Sequence, residues 1–167
     1  MLIRRLTPDD AASYQRLRLS GLREAPSAFG SSAEEEAAYT LEFVAARLAP
    51  DAPATVFGAF QDDALVGLCG LLRHTRPRFT HKAEVWGVYV APSARRTGLA
   101  RKLMQHTMDH ARTLEGLHQL HLGVNATNAA GQALYESLGF EPYGCEPSFM
   151  VIDGAPHDEV MMVLRLG

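Results

Sequence analysis

Apolar positions change their spacing along the chain, and each change marks an element. Leu2, Ile3 and Leu6 predict a short first strand. Thr7 followed by Pro8, Asp9 and Asp10 reads as a helix start: a hydroxyl to cap, a proline where no N–H is needed, and acids in the first turn. The helix keeps Tyr14, Leu17 and Leu22 roughly in period, with Ala11 and Ala25 at its ends, until Pro26 stops it. Beyond the small residues of Ser27 to Ser32, Glu34 to Leu48 predicts helix in one or two pieces, closed by Pro50 and Pro53. Ala54 to Gln61 and Ala64 to Leu72 flank Asp62-Asp63 as a hairpin, and Ala83 to Ala91 predicts a third strand in that run. Leu99, Leu103, His106, Ala111 and Leu114 return to the helical period over Gly98 to Leu114, after which Leu120, Leu122 and Val124 alternate as a strand. Asn128 caps a short helix through Leu138, with Gly139 where a left-handed residue is needed. Two strands, Tyr143 to Ile152 and Glu159 to Leu166, follow across a turn at Asp153-Gly154-Ala155-Pro156. The order β-αα-βββ-α-β-α-ββ predicts an α/β fold: a mixed, mostly antiparallel central sheet flanked by helices, with one parallel junction across the Gly98 helix.

No repeat, low-complexity tract or Gly/Ser-rich linker interrupts residues 1–167, which read as one domain. Hydrophobic residues make up 47% and charged residues 21%, enough for a core that needs neither disulfides nor structural metal. A net charge of −3 lacks the electrostatic footprint of a nucleic-acid binder. No apolar run approaches the roughly 18 residues of a membrane span, and Met1-Leu2-Ile3-Arg4-Arg5 has no apolar signal region, so a soluble protein is expected. Cys69 and Cys145 stand far apart without CxxC spacing, which suggests a reducing cytoplasm. His106 and His110 stand four apart on the Gly98 helix, and His118 and His121 lie close together. No carboxylate or cysteine accompanies the helical pair and HExxH is absent, so no metal is expected and the pair is assigned to a solvated helix face.

The most informative stretch runs from Glu84 through Val88-Tyr89-Val90-Ala91-Pro92 to Arg95-Arg96-Thr97-Gly98-Leu99-Ala100-Arg101-Lys102. From Ser93 to Lys102 it holds three arginines, one lysine and no acid, in a protein whose total is negative. A strand ends, a turn crosses, and a helix begins with free N–H groups, so the place suits an anion such as a diphosphate. A solvated basic surface is the alternative reading of the same residues. Neither GxxxxGK[ST] nor GxGxxG is present, which turns the argument away from the usual nucleotide-binding loops.

Arg95 to Ala100 resembles the Q/R-x-x-G-x-G/A signature of the GNAT family of N-acetyltransferases, and the preceding Val-Tyr-Val-Ala-Pro is similar to that family's strand end. Downstream, Leu122-Gly123-Val124, Asn128, Leu134-Tyr135 and Leu138-Gly139-Phe140 resemble its L-x-V…N…LY…GF block. With the element order, the resemblance covers nearly the whole chain, the first two helices matching in position alone. It implies acetyl-CoA as co-substrate. Val88, Tyr89 and Val90 would lend backbone groups to the pantetheine arm, docked like an added strand. Arg95, Arg96, Thr97, Gly98, Leu99, Ala100 and Arg101 would wrap the pyrophosphate, and Asn128 would hydrogen-bond the cofactor. Gly131 departs from the family's usual alanine, at a cost of about 1 kcal/mol of helix propensity.

An alkyl amine is mostly protonated at neutral pH and must lose a proton before attacking a thioester. The resemblance puts the base at Glu84, which would share a strand face with Trp86, Val88 and Val90 unless a bulge intervenes. It puts Tyr135 near the sulfur, where a phenol eases departure of the thiolate, and a backbone N–H of Val88 to Val90 would meet the developing oxyanion. Transfer is expected to be direct, without an acyl-enzyme. Glu84 as an exposed strand residue, Tyr135 as a core tyrosine and Asn128 as a helix cap alone are the structural alternatives. The expected acceptor is a small-molecule primary amine, with protein N-termini or lysines as the second choice; homodimerisation is left open. The triplet Glu34-Glu35-Glu36 either attracts a cationic acceptor or compensates a helix dipole. An acyl-CoA-binding sensor or partner module without turnover is the alternative from another class.

Overall fold

A seven-stranded sheet collects the extended segments in the computed structural model, which describes residues 1–167. Its strands are β1 (Leu2–Arg5), β2 (Ala54–Gln61), β3 (Ala64–Arg73), β4 (Lys82–Val90), β5 (Gln119–Asn125), β6 (Glu141–Ile152) and β7 (Ala155–Arg165). The spatial order is β1-β2-β3-β4-β5-β7-β6, antiparallel throughout except where β4 meets β5. The helices are α1 (Ala11–Glu24), α2 (Ala33–Ala37), α3 (Leu41–Arg47), α4 (Leu99–Arg112) and α5 (Ala129–Ser137). This is the mixed α/β architecture that the order of apolar patterns predicts.

Strand alternation divides the core between the two faces. On one face α4 buries Leu99, Leu103, Met104, Met108 and Ala111 against Phe57, Cys69, Val85, Leu120 and Met162. On the other, Leu6, Tyr14, Leu17, Leu22, Phe29, Val44 and Leu48 cover Val56, Leu68 and Tyr89. Helix α5 ends in a Schellman turn: Phe140 donates to the Tyr135 carbonyl at 3.1 Å and Gly139 to that of Glu136 at 2.9 Å, with Gly139 at φ +94°. Tyr135 and Phe140 pack ring against ring at 6.2 Å across that turn, which fixes where Tyr135 stands.

Three expectations need correction, and a fourth resolves to its stated exception. The final turn is only Asp153-Gly154, both at positive φ, so β7 starts at Ala155 rather than Glu159; two residues suffice because a left-handed pair matches the twist of a hairpin. His106 and His110 are half-buried, edge-on to Phe57 at 4.9 and 5.2 Å, instead of facing solvent. Of the acid triplet, Glu36 turns inward and takes three hydrogen bonds from Arg18 at 2.8 to 3.2 Å. On β4 the bulge that is the stated exception to a common face of Glu84, Trp86, Val88 and Val90 is present. Gly87 takes φ +64°, and the register to β3 jumps from Gly70↔Trp86 to Leu68↔Tyr89. Trp86 and Tyr89 therefore face α1, while Val88 and Val90 pack toward α4.

Candidate functional site

Strand β4 is the axis of the site. It pairs with β5 only over Lys82↔Gln119, Ala83↔Leu120 and Glu84↔His121, and beyond Glu84 the two strands part. On its other side Ala91 N–H donates to the Val66 carbonyl of β3. Backbone alternation then turns the polar groups of Val88 and Val90 into the gap that β5 has left, and those of Tyr89 toward β3. Arg95 Nε donates to the Val90 carbonyl at 3.0 Å, leaving the Val88 groups and the Val90 N–H facing the opening.

At the end of β4 the chain enters α4 through a turn built to expose N–H groups. Arg96 adopts φ +59° and Gly98 φ +77°, both left-handed, and a Cβ at Gly98 would meet only open space. Thr97 Oγ1 donates to the Ala94 carbonyl at 2.8 Å and braces the turn. Buried Leu99 anchors the helix from beneath, and the first α4 bond is Lys102 N–H to Gly98 O. The backbone N–H groups from Arg96 to Arg101 find no acceptor in the protein. A run of orphan donors at a helix N-terminus, rimmed by exposed Arg96, Arg101 and Lys102, is a cradle for anionic oxygens. These residues fit the pyrophosphate that the sequence resemblance calls for.

Arg95 behaves differently from its neighbours. Its guanidinium grips both Glu24 oxygens at 2.6 and 2.8 Å, and Tyr89 donates to the same carboxylate at 2.6 Å. The Arg95 and Tyr89 bonds hold Glu24 below the usual carboxylate range, while burial and the Glu24 contact push the Tyr89 phenol up to about 12. Arg95 thus ties the turn to the end of α1. Arg101 donates to Ser137 Oγ at 2.7 Å and ties α4 to α5. Asn128 is exposed and caps α5, its Oδ1 accepting from Gly131 at 2.9 Å, while its Nδ2 makes no bond within the protein.

Behind the gap, on the α1 side of the sheet, lies a cavity of about 720 Å³. Glu84, Trp86, His121, Glu159 and Tyr143 line its sheet wall; Arg18, Phe29 and Arg47 come from the helical side. His74 Nε2 is 3.2 Å from Glu84. Burial lowers the His121 pKa, and the neutral ring fits its partners: Nε2 donates to Gln119 at 3.1 Å and Nδ1 accepts from the Tyr143 hydroxyl at 3.3 Å. Arg18 is sandwiched, its guanidinium 4.7 Å from the Phe29 ring centre and 5.7 Å from that of Trp86. Glu159 makes no hydrogen bond or ion pair, and burial, together with the charges of Glu146 and Glu84, raises its pKa.

Tyr135 is not part of the cavity wall. It packs on the α4 face beside Phe140, its hydroxyl unpaired, and burial pushes its pKa up, so it is a phenol at neutral pH. Glu84 and Tyr135 therefore occupy opposite faces of the sheet, which communicate at the β4–β5 gap. Cys69 is buried among the core residues, where desolvation raises its thiol pKa to about 12, and Cys145 is exposed. Sequence reasoning misses Glu159, His121, Tyr143 and Arg18. Only the pairing of β7 with β5, which linear order does not reveal, brings Glu159 to this wall.

The Acetyltransferase (GNAT) family profile matches residues 19–140. Over 85 residues the chain is 36% identical to the [ribosomal protein bS18]-alanine N-acetyltransferase of Salmonella typhimurium, covering 51% of this chain and 57% of that protein. Over 103 residues it is 28% identical to the spermidine N(1)-acetyltransferase of Vibrio cholerae, covering 62% and 60%. Both matches span less than two thirds of the relatives' own length. An acetyltransferase from Salmonella typhimurium, solved with its cofactor acetyl-CoA, shares the fold with a TM-score of 0.81 over 100% of this chain and 94% of that one, at 24% identity.

Proposed function

This chain belongs to the GNAT family of acetyltransferases, and from that premise we propose that it transfers an acetyl group from acetyl-CoA directly to a primary amine held in the cavity. The observation that carries this reading is the row of unsatisfied N–H groups from Arg96 to Arg101, continuous with the unpaired edge of β4, at a gap beside a cavity whose sheet wall carries Glu84 and Glu159. When bound, the cofactor supplies an acetyl group activated as a thioester. Arg96, Thr97, Gly98, Leu99, Ala100 and Arg101 hold its pyrophosphate through backbone N–H groups and side-chain charge, and Asn128 adds its free amide. Val88 and Val90 offer main-chain groups along the gap, where an N–H also stands ready for negative charge on a carbonyl oxygen.

Two carboxylates on the cavity wall, Glu84 and Glu159, draw an ammonium in and provide for removal of its proton. Tyr135, protonated and on the far face, is placed to donate toward a departing sulfur at the gap. A small-molecule amine is the first reading of the acceptor, and spermidine, the substrate named for one relative, is a fitting probe. A protein N-terminus is the second, favoured by Tyr143 and Phe149, exposed aromatics that line the cavity and offer a peptide a surface to lie on. We place this single N-acetyltransferase domain in the cytoplasm, where its two unpaired cysteines would stay reduced.

Thiol release from acetyl-CoA, measured with and without spermidine or an alanine-initiated peptide, tests the proposal. Amine-dependent release supports the enzyme. Tight acetyl-CoA binding without amine-dependent release supports a binding module instead, and no calorimetric heat at millimolar acetyl-CoA overturns both.

A further inference from the structure

The two carboxylates of the cavity differ in state. Glu84 has a companion in His74, and its side chain is 41% exposed. Glu159 is half-buried and has none. It stands opposite Asn125 in the β5–β7 register, and its carboxyl folds across Gly123 of β5, where a Cβ would overlap Glu159 Oε1. Gly123 lies two residues beyond His121, the last β5 residue paired to β4, so the carboxyl rests where the gap has already opened.

The charged and titratable groups around Glu159 leave it uncompensated. Glu146 of β6 lies directly across from it in register, and Glu84 of β4 shares the cavity; both repel it. Arg18 of α1 gives Nε and Nη2 to Glu36 while its buried Nη1 has no partner and makes no bond to Glu159; Arg47 of α3 lies over Tyr39 and Phe43, and His121 and Tyr143 are engaged with each other. A half-buried carboxylate without a partner, beside a more exposed one that His74 already engages, is the better placed of the two to accept a proton.

We infer that Glu159, rather than Glu84, is the catalytic base that deprotonates the acceptor amine; the inference rests on the acetyl-transfer reading above. Glu159 takes one proton from the ammonium, leaving a nitrogen lone pair. The nitrogen–carbon bond forms as the thioester carbon–sulfur bond breaks. The second proton that the nitrogen loses ends on the departing sulfur through the Tyr135 hydroxyl, which is restored in the exchange. The products are an amide, a thiol and a protonated Glu159, which returns its proton to water.

The test compares Glu159→Gln, Glu84→Gln and Gly123→Ala in the full chain, with acetyl-CoA and with spermidine and an alanine-initiated peptide as acceptor probes. Glu159→Gln is expected to lose roughly 100-fold or more in kcat/KM near neutrality. The loss should shrink as pH approaches the acceptor's own pKa, about 10 for spermidine and about 8 for the α-amine of the peptide, where free amine needs no base. Acetyl-CoA affinity should be unchanged. A carboxyl whose pKa is raised by folding contributes stability only at low pH, lost as pH rises through the folded value, so Tm at neutral pH should hold or increase. Gly123→Ala should displace the carboxyl and give a smaller loss with the same pH recovery. A Glu159→Gln rate close to wild type, a loss that does not vary with pH, or a collapse confined to Glu84→Gln overturns the assignment while leaving the acetyl-transfer reading intact. A wild-type chain that releases no thiol with either amine overturns both.

Discussion

Replacing Glu36 by glutamine tests the link between the helical layer and the cavity. Arg18 and Glu36 keep only 7% and 5% of their side chains exposed, and three hydrogen bonds of 2.8 to 3.2 Å join them. Removing one partner of a buried pair costs about 3–5 kcal/mol, because the other charge is left uncompensated. Glutamine keeps one carbonyl oxygen as an acceptor, and Phe29 still faces the guanidinium at 4.7 Å, which puts the expected loss near the lower end, about 3 kcal/mol. At roughly 2–4 °C per kcal/mol for a domain of this size, Tm should fall by about 6–12 °C in calorimetry at neutral pH. The acid dependence gives a second readout. Burial works to raise the Glu36 pKa, but the hydrogen bonds and charge of Arg18, helped by Ser31 and Arg47, outweigh it and hold the carboxyl below its ordinary range. A depressed carboxyl stabilises the fold above its unfolded pKa of about 4.3 and loses that contribution as pH falls through the folded value. The gap in Tm between wild type and variant should thus be full at neutrality and close in acid. A neutral-pH Tm within about 2 °C of wild type, on the scale just used, would refute the reasoning.

If Tyr135 donates to the leaving sulfur as proposed, Tyr135→Phe should lower kcat about 100-fold while calorimetry shows unchanged acetyl-CoA affinity, since the ring stays packed on Phe140 and only the hydroxyl is lost. Arg95→Ala should weaken acetyl-CoA binding less than Arg96→Ala, because the Arg95 guanidinium already serves Glu24 and Val90; the reverse order of affinities would contradict that division. Gly87→Ala should cost about 1–2 kcal/mol in denaturant unfolding, because φ +64° disfavours any side chain, and should raise KM for the amine as its Cβ crowds Arg18 Nη1 at 3.3 Å.

The elements that a single period defines were legible in the chain. Helix α4 shows itself because Leu99, Leu103 and Ala111 fall on one stripe, and α5 because Asn128 and Gly139 carry the chemistry of a helix's two ends. The anion cradle was legible for a related reason: local composition and a glycine at a helix start are sequence-adjacent facts. Contacts made across the sheet were not. Glu159 lies 75 positions from Glu84 and reaches the same wall only because β7 inserts between β5 and β6. Glu36 reads as one of three acids compensating a helix dipole, and nothing in Glu34-Glu35-Glu36 says which will be turned toward Arg18; helix phase and the position of α1 decide that. Gly87 within a strand pattern flags a bulge, yet the exchange of faces that follows depends on which residue β3 skips.

The bulge explains why the site has two sides. Without it, strict alternation would keep Val88 and Val90 on the cavity face with Glu84 and Trp86, and would put Tyr89 on the α4 face with Ala83 and Val85. With one extra residue at Gly87, the strand contributes Glu84 and Trp86 to the acceptor side before the bulge and Val88 and Val90 to the α4 side after it. The phase change falls within the stretch where β5 has left, so the backbone groups that no neighbour satisfies lie between the cavity walled by Glu84 and Glu159 on one face and the Tyr135 phenol on the other. In the proposed roles, Glu159 as proton acceptor and Tyr135 as proton donor are thereby kept apart by the thickness of the sheet and cannot exchange a proton directly. A bound thioester reaching along the β4 edge would connect them, which ties proton removal on one face to proton delivery on the other and requires both substrates to be present before transfer.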